Sequence, residues 1–489
     1  MPSARQILIG IGSLITLLAF LALAAWIFSA SARWWTGVQI SDLDLASYST
    51  PSPDPADNFF NSLGFDFNKP IDYTYRARQM KDLPLQPQLV GQIDRNSPET
   101  VPWPFDPVLA HAVDLDASAK AIRQLAEDGA ANLANIGSAY QRSLLEAKNA
   151  REFCSLFLQP VRPYLQNIYD RLPEPNSVYP PPFPLEAGLD TPSLKFFDLL
   201  SIIRLLALDQ LLEFGSSGSN YSSAKPLLAI LRISEGIFQR PVGLVAFLGG
   251  SAACTLSLPL LWQGVEGSHF SDSAILGLLR QLEKLDPVQN ADKVIGQESA
   301  WRFQVMDWLA WREPWWKRVF MIPISKVWQG FFILHWTEIQ RALKGDSVFK
   351  NYPSAPQPAF WNAYAVFYPK HAIDLYNEAL HLKILLQLAK QDLALHLFIK
   401  KNGRAPEKLE ALVPSILPSL PKDPFTGSNF GYRKTSATSY LLYSCWVDGK
   451  DDGGTSVTIP QPPPKDLLLF LRHQAKGDLV WPRHHAGKN

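Results

Sequence analysis

Apolar residues recur every three or four positions along much of the chain, which is the period of the buried face of an α-helix. This pattern predicts helices over residues 194–214, 222–239, 242–262, 271–285 and 371–400. The last helix is the longest, and its apolar stripe consists of Leu375, Ala379, Leu382, Leu386, Ala389 and Leu393. A similar pattern covers 116–158, where Gly129 disfavours one unbroken helix because glycine destabilises a helix interior by about 1 kcal/mol. The chain is therefore predicted to be mainly α-helical.

Residues 111–365 are predicted to form an all-helical middle domain. Short glycine- and serine-rich connections such as 215–219 favour antiparallel packing of successive helices. The expected arrangement is a stack of α-helical hairpins, a layout that resembles tetratricopeptide-type repeats. The helix over 242–262 carries no charged residue, so a second membrane span is an alternative interpretation. Pro259 and the polar residues of this helix favour a buried core helix instead.

Residues 7–28 form an uncharged apolar run that is long enough, at about 1.5 Å of rise per residue, to cross a bilayer as a helix. We predict that residues 1–35 are an N-terminal transmembrane anchor that contacts membrane lipid through 7–28. Arg5 and the amino terminus precede the run, whereas Arg33, Asp42 and Asp44 follow it. This small positive-inside bias predicts that the N-terminus lies in the cytoplasm and the bulk of the chain outside. A cleaved signal peptide is the alternative, although the run exceeds the usual apolar core of about 7 to 15 residues.

The segment 36–110 is rich in proline, with Pro51, Pro53 and Pro55 close together. Proline lacks the backbone N–H donor and interrupts helices. This segment is therefore predicted to lie extended over the surface of the helical domain.

A different pattern follows the long helix. Gly403 suits the left-handed conformation that ends many helices, and Pro406 fits the first turn of a short helix through Val413. The prolines of 420–427 then exclude helix. Turn-rich sequence therefore replaces helix after residue 413.

The remaining pattern predicts a small sheet. The aromatic and apolar run 440–447 is typical of a strand buried against a helix, and an acidic, glycine-rich loop follows at 448–454. Residues 477–482 are the expected last strand. We predict that residues 366–489 form a small α+β module.

The order of these features resembles the C-terminal module of the major pseudopilins of type II secretion. The residues that carry the resemblance are Asn402-Gly403-Arg404 with Pro406, Leu409-Glu410-Ala411-Leu412-Val413, Leu420-Pro421-Lys422-Asp423-Pro424 and Asp448-Gly449. The resemblance implies a helix packed on a small antiparallel sheet. The whole chain is similar to large membrane-anchored bacterial proteins with a helical domain ahead of such a module, which implies a single-pass protein of the bacterial inner membrane.

The acidic loop is the candidate metal site. Asp448, Asp451 and Asp452 supply carboxylate oxygens on a flexible turn, which Ca²⁺ prefers. In pseudopilins this region holds a structural calcium, so the resemblance implies that these three residues, together with Asp478, are calcium ligands. A solvated acidic turn without metal is the alternative interpretation.

Tryptophans are dense between Trp301 and Trp336. Trp301, Trp308 and Trp315 recur every seventh residue and would share one helical face, provided that Pro314 does not end the helix first. Such a face could form a platform for sugars or peptides, a groove for a partner helix, or a belt at the membrane interface. The alternative is that these rings fill an irregular helical core.

A polar stripe runs along the long helix at His371, Asp374, Glu378 and His381. Two imidazoles and two carboxylates on one stripe would bind zinc or iron if a second helix supplied further ligands. A solvated polar face beside the leucine stripe explains the same residues.

Net charge and motif searches favour neither nucleic-acid binding nor a familiar catalytic class. The net charge of the 489-residue chain is +1, which gives no electrostatic footprint for nucleic acid. The chain contains no G-x-S-x-G elbow, no phosphate-binding glycine loop and no H-E-x-x-H pattern. A disulfide between Cys154 and Cys254 is one option outside the cytoplasm, and buried free thiols are the other.

We therefore expect a non-catalytic, membrane-anchored scaffold or interaction protein of the cell envelope, with protein partners there and a link to a type II secretion or pilus-like system. The alternative is an envelope hydrolase that acts on a polysaccharide or peptide held at the Trp301–Trp336 cluster. That alternative requires carboxylates or histidines in a sizeable pocket near Trp308 and Trp315.

Overall fold

The computed structural model describes residues 57–63, 147–178, 196–214, 223–240, 243–289, 294–298, 311–315, 368–446, 449–456 and 477–481, together with isolated positions elsewhere. This part of the chain is mainly helical and contains one three-stranded antiparallel sheet. Most of the predicted membrane span 7–28 lies outside the described residues. Within it, Leu23 and Ile27 are helical and about half exposed, at 54% and 49%.

The described helices are α1 (Ala150–Leu158), α2 (Arg162–Asp170), α3 (Phe196–Glu213), α4 (Lys225–Gln239), α5 (Gly243–Glu266), α6 (Asp272–Glu283) and α7 (Tyr368–Asn402). The predicted long helix corresponds to α7, and the four predicted before it correspond to α3 to α6. The Ser271 hydroxyl caps α6 by accepting a hydrogen bond from the Ala274 N–H. Gly403 ends α7 at a φ of 70°, as predicted.

The pattern over 116–158 does not form one helix to its end. Residues 147–149 are not helical, and the Asn149 side chain accepts a hydrogen bond from the Glu152 N–H at the start of α1. An asparagine in this position satisfies a donor that the first helical turn leaves open, so it starts a new helix.

Helix α5 is the centre of the helical core and contacts α3, α4 and α7. It continues through Pro259. Its length and composition would allow it to cross a membrane, but 67% of its most apolar window is buried inside the protein. This burial supports the interpretation of α5 as a core helix.

Part of the proline-rich segment is buried rather than laid over the surface. Residues Phe59–Leu63 form a 3₁₀ turn in which Phe59, Phe60 and Leu63 are fully buried. The turn packs against α4, where Gly236 leaves the space that the Phe60 ring occupies. The expectation of an extended surface path therefore does not hold for 57–63, because three apolar side chains stabilise a buried position here.

A buried ion pair holds this region together. Arg232 on α4 donates a hydrogen bond to Glu235 at 2.7 Å, and both side chains are at most 5% exposed. Arg232 also donates to the carbonyl oxygens of Glu174 and Asn176, while the Gln281 amide donates to Glu235 at 2.7 Å. These bonds satisfy most of the hydrogen-bonding groups of the pair, which a buried ion pair requires for stability. They also connect residues 174–178 and α6 to α4.

Ion pairs also connect α6 and the turn after it to α7. The pairs are Asp272 with Lys400, Glu283 with Lys390, and Asp286 with Lys383. Later residues of α6 and its turn pair with earlier residues of α7. The two helices therefore run antiparallel.

The opposite side of α7 packs against the sheet. The strands are β1 (Gly431–Lys434), β2 (Tyr440–Ser444) and β3 (Leu479–Val480), in the order β1-β2-β3. The Tyr440 hydroxyl donates to Asp392 at 2.5 Å, and both side chains are buried. Contact on both sides explains why α7 is buried beyond the single predicted leucine stripe.

Two predicted elements of the module are shorter in the structure. The helix expected from Pro406 to Val413 is a 3₁₀ helix over Leu409–Leu412. The strand expected over 440–447 ends at Ser444. The chain then turns at Trp446, whose φ of 52° is uncommon for a residue other than glycine.

Candidate metal centre

The sheet brings the two ends of the acidic region together. Strands β2 and β3 pair in antiparallel register, with Ser444 opposite Leu479. One step further along this register, Cys445 follows β2 and Asp478 precedes β3. The pairing therefore places a thiol and a carboxyl group, which are far apart in sequence, beside each other.

The loop between the strands is folded onto the same spot by hydrogen bonds. The Tyr443 hydroxyl and the Gly453 N–H both donate to Asp451 Oδ1 at 2.9 Å. The Asp478 N–H donates to the Thr455 carbonyl oxygen at 2.8 Å, which fixes the loop to the start of β3. Asp451 is thereby held next to the strand ends.

Cys445, Asp451 and Asp478 form the resulting cluster. One ligand atom from each lies within 4.8 Å of the others. Asp451 is exposed, Cys445 is half-buried and Asp478 is only 1% exposed. The cluster therefore extends from the surface of the loop into the interior.

The Asp478 carboxyl group is poorly satisfied for a buried acid. Its Oδ2 accepts a hydrogen bond from the Gly454 N–H at 2.7 Å, but its Oδ1 has no hydrogen-bond partner among the described residues. Burial raises the pKa of Asp478, and the charges of Asp451 and Asp452 raise it further, against the N–H groups of Gly454 and Asp452, which lower it. A bound cation would offset both the burial and the repulsion.

The predicted metal ligands are only partly brought together. Asp451 and Asp478 belong to the cluster, Asp452 lies exposed in the same loop without joining it, and Asp448 lies outside the described residues. Sequence reasoning missed Cys445, because its position beside Asp478 depends on the register of β2 and β3. Its place near the end of the predicted strand 440–447, three residues before the acidic loop, was the available signal.

The donor set fits calcium poorly. Ca²⁺ takes about 6 to 8 oxygen ligands, whereas the described cluster offers two carboxylates and a sulfur atom. Thiolate ligands favour softer metals. A calcium ion here would need further oxygen ligands from backbone carbonyls or water, so the calcium site that the resemblance implies stays a prediction.

The tryptophans do not share one face across Pro314. Helical structure at Trp311 and Arg312 breaks at 313–314 and resumes at Trp315. Trp301 packs against the core, whereas Trp311 and Trp315 are 58% and 77% exposed. Trp308 lies outside the described residues. A shared Trp301–Trp315 face was predicted only if Pro314 did not end the helix, and the break at 313–314 shows that this condition is not met.

The polar stripe of α7 is not a solvated face at His381. This side chain is 8% exposed, and its Nε2 accepts a hydrogen bond from the Trp446 indole at 2.7 Å. Glu378 is half-buried, and the side chains of His371 and Asp374 lie outside the described residues. The bond to Trp446 shows that His381 joins α7 to the turn after β2.

Cys154 and Cys254 are both buried and do not form a disulfide. Burial raises the pKa of the Cys254 thiol to about 12. Both thiols are therefore core side chains, which was the second of the two sequence interpretations.

Comparison of the chain with known proteins identified no relative, since no protein-family model, curated protein or solved structure matches it.

Proposed function

We propose that this chain is a non-catalytic scaffold or interaction protein anchored in the bacterial inner membrane, with its bulk outside the cytoplasm. The observation that carries this proposal is the position of α7 (Tyr368–Asn402). It is fixed to α6 by ion pairs and to β2 and the turn after it by buried hydrogen bonds from Tyr440 and Trp446. A rigid connection between two differently folded parts suits a protein that presents surfaces in a fixed relationship.

The finer architecture belongs to the same proposal. Residues 7–28 would cross the membrane, and the successive helices α3, α4 and α5, which contact one another, would form α-helical hairpins. Residues 366–489 would be a pseudopilin-like module, supported by a helix packed on a three-stranded antiparallel sheet. This likeness motivates a link to a type II secretion or pilus-like system.

The partner surface that we propose comprises Trp311 and Trp315 with Arg312, Lys317 and Arg318. The Arg318 guanidinium lies 5.7 Å from the Trp311 ring centre, a cation–π distance. Exposed tryptophan beside arginine is typical of residues that contribute strongly to protein interfaces. Trp315 is the more exposed of the two tryptophans, at 77%, and is therefore the expected point of contact with an envelope protein.

The test is cross-linking of the tagged full-length chain in its native membranes, followed by purification and mass spectrometry. We expect reproducible recovery of envelope proteins, with clear loss of recovery for Trp315→Ser. Leu276→Ser is the matched control, because Leu276 is an exposed apolar residue on α6 that is not among the residues of the proposed surface. Equal recovery with both variants would reject the surface, and release of the chain by a salt wash without detergent would reject the anchor.

The hydrolase alternative can be tested with a substitution in the same region. Among the described residues of 311–318, Glu313 supplies the carboxylate, and it forms an ion pair with Lys317 at 2.9 Å. A hydrolase at this position predicts loss of polysaccharide or peptide cleavage in Glu313→Gln. No cleavage by the wild-type chain would leave the scaffold proposal as the simpler account.

A further inference from the structure

Three ligand atoms meet where β2 ends, where the acidic loop turns back and where β3 begins. They belong to Cys445, Asp451 and Asp478 and lie within 4.8 Å of one another. We infer that this cluster binds a divalent metal that accepts thiolate, Zn²⁺ in particular, instead of the calcium that the resemblance to pseudopilins implies. This inference goes beyond the scaffold role and does not depend on it.

Donor chemistry decides between the two metals. Tetrahedral bonds of about 2.0 to 2.3 Å to zinc place ligand atoms about 3.3 to 3.8 Å apart, and the longer bonds to calcium, with more ligands around the ion, place them at a similar spacing. Small movements of the loop would therefore suit either ion. The sulfur atom of Cys445 is a good ligand for Zn²⁺ and a poor one for Ca²⁺, and it occupies a position that calcium would need for oxygen.

Asp478 gives an independent reason for a cation. This residue is 1% exposed, and its Oδ1 is buried without a hydrogen-bond partner among the described residues. A buried carboxylate oxygen that makes no hydrogen bond is destabilising. A bond from Oδ1 to a metal ion would satisfy it.

Asp451 is already oriented as a ligand would be. Its Oδ1 accepts hydrogen bonds from the Tyr443 hydroxyl and the Gly453 N–H, both at 2.9 Å. Metal-binding carboxylates are commonly held by such bonds, which fix the direction of the ligand and tune its affinity. The loop is thus arranged before any metal arrives.

The binding step is a proton exchange. As the Zn–S bond forms, the S–H bond of Cys445 breaks and its proton leaves to solvent. Zinc offsets most of the negative charge of the thiolate and the two carboxylates. Three protein ligands leave a fourth position for water.

Zinc would strengthen the weakest part of the sheet. The β2–β3 pairing consists of Tyr443 with Val480 and Ser444 with Leu479, and residues 457–476 separate the acidic loop from Asp478. A metal bound by Cys445, Asp451 and Asp478 would connect the end of β2, the loop and the start of β3. Zinc should therefore stabilise the C-terminal strand.

The experiment uses the full-length chain in detergent, reduced and stripped of metal with a chelator. Dialysis against Zn²⁺, with and without a large excess of Ca²⁺, measures bound zinc by mass spectrometry. We expect a single equivalent of zinc that calcium does not displace. Co²⁺ in place of Zn²⁺ should give the near-ultraviolet sulfur-to-cobalt absorption band that reports thiolate ligation.

Variants distinguish this site from others. Partners outside the coordination sphere contribute about 10- to 100-fold to metal affinity, so removal of a ligand itself in Cys445→Ser or Asp451→Asn should weaken zinc binding at least about 100-fold. Asp451 is exposed, so Asp451→Asn should fold even if Cys445→Ser does not. Asp452→Asn, in the same loop, and Cys154→Ala, another cysteine, should retain binding and the cobalt band. Displacement of zinc by calcium, or wild-type affinity in both ligand variants, would overturn the inference.

Discussion

The indole Nε1 of Trp446 donates a hydrogen bond to Nε2 of His381 at 2.7 Å, and both side chains are buried. This bond joins the turn after β2 to the middle of α7. Trp446→Phe would remove the donor, leave the histidine acceptor unsatisfied and lose part of the ring packing. A buried unsatisfied acceptor is destabilising by about 1–3 kcal/mol, so we expect the free energy of unfolding in urea to fall by about 2–4 kcal/mol once the packing loss is included.

Trp262 provides the matched control for this prediction. It is a half-buried tryptophan on α5 whose Nε1 has no hydrogen-bond partner among the described residues. Trp262→Phe removes an N–H that makes no such bond, so its effect should be smaller than that of Trp446→Phe. Equal losses would mean that ring packing, not the bond to His381, explains the role of Trp446.

Tyr440 should control part of the alkaline stability. Burial, and then the negative charge of Asp392, raises the pKa of Tyr440 well above 10.0. Below pH 10 the folded and unfolded states both keep the phenol proton, so Tyr440 contributes fully to the free energy of unfolding. Above it the unfolded state loses the proton first, so stability falls as pH rises.

Tyr440→Phe should therefore lower stability at neutral pH by about 2–3 kcal/mol, since the lost bond ends on a carboxylate. It should also make the alkaline decline shallower, by up to about 1.4 kcal/mol per pH unit. Urea unfolding between pH 8 and 11 measures both effects. Tyr432→Phe is the matched control at neutral pH, because the Tyr432 hydroxyl donates to the neutral Pro406 carbonyl oxygen and loss of that bond should be less destabilising. Burial raises the pKa of Tyr432 to about 12, so this variant should flatten the alkaline decline as well. An unchanged alkaline slope in Tyr440→Phe would contradict the assignment.

The period of the apolar residues was enough to locate a helix that buries one face. The stripe from Leu375 to Leu393 located α7, and Gly403 marked its end. Periodicity did not predict that Lys390 and Asp392 are also buried, because their burial depends on α6 on one side and the sheet on the other. Tertiary contacts of this kind leave no local signal in the sequence.

The candidate metal site was likewise predictable only in part. The carboxylates of Asp451 and Asp478 were identifiable from an acidic loop and a resemblance. The inclusion of Cys445 depends on the register of two short strands, which pattern alone does not fix. Phe59 and Phe60 are a parallel case, since proline-rich surroundings predicted an exposed path and the two rings instead pack beneath α4.

The close approach of the Phe60 ring to Gly236 should be necessary for residues 57–63 to pack against α4. A Cβ atom on Gly236 would lie 2.1 Å from the Phe60 ring and 2.9 Å from the Ser177 carbonyl oxygen. Gly236→Ala should therefore destabilise the protein by about 1–3 kcal/mol through overpacking. It should also accelerate hydrogen exchange at the Phe59 N–H, which donates to the Asn176 carbonyl oxygen at 3.0 Å.

The control for this position is Gly277→Ala in α6. A Cβ atom there meets only Leu228 Cδ1, at 3.9 Å. Alanine favours a helix interior over glycine, so this variant should stabilise by about 0.5–1 kcal/mol. Stabilisation by both substitutions would show that the Phe59–Leu63 turn adapts without cost.

Asp478 allows the metal inference to be tested through pH. Its folded-state pKa is raised above the ordinary 3.8, chiefly by burial. A carboxyl group of this kind stabilises the fold fully below pH 3.8 and loses that contribution as pH rises through the folded pKa. With chelator present, Asp478→Asn should therefore flatten the pH dependence of Tm and raise Tm near neutral pH.

Zinc should reverse the order of the two Tm values, so that the wild-type chain melts above Asp478→Asn. The wild-type chain gains stability because the metal binds the folded state only, whereas Asp478→Asn lacks one ligand and should gain little. Asp452→Asn should respond to zinc as the wild type does. A lower Tm for Asp478→Asn in chelator would instead mean that hydrogen bonds from Gly454 and its neighbours already satisfy the carboxylate, and that Asp478 needs no metal to be stable where it lies.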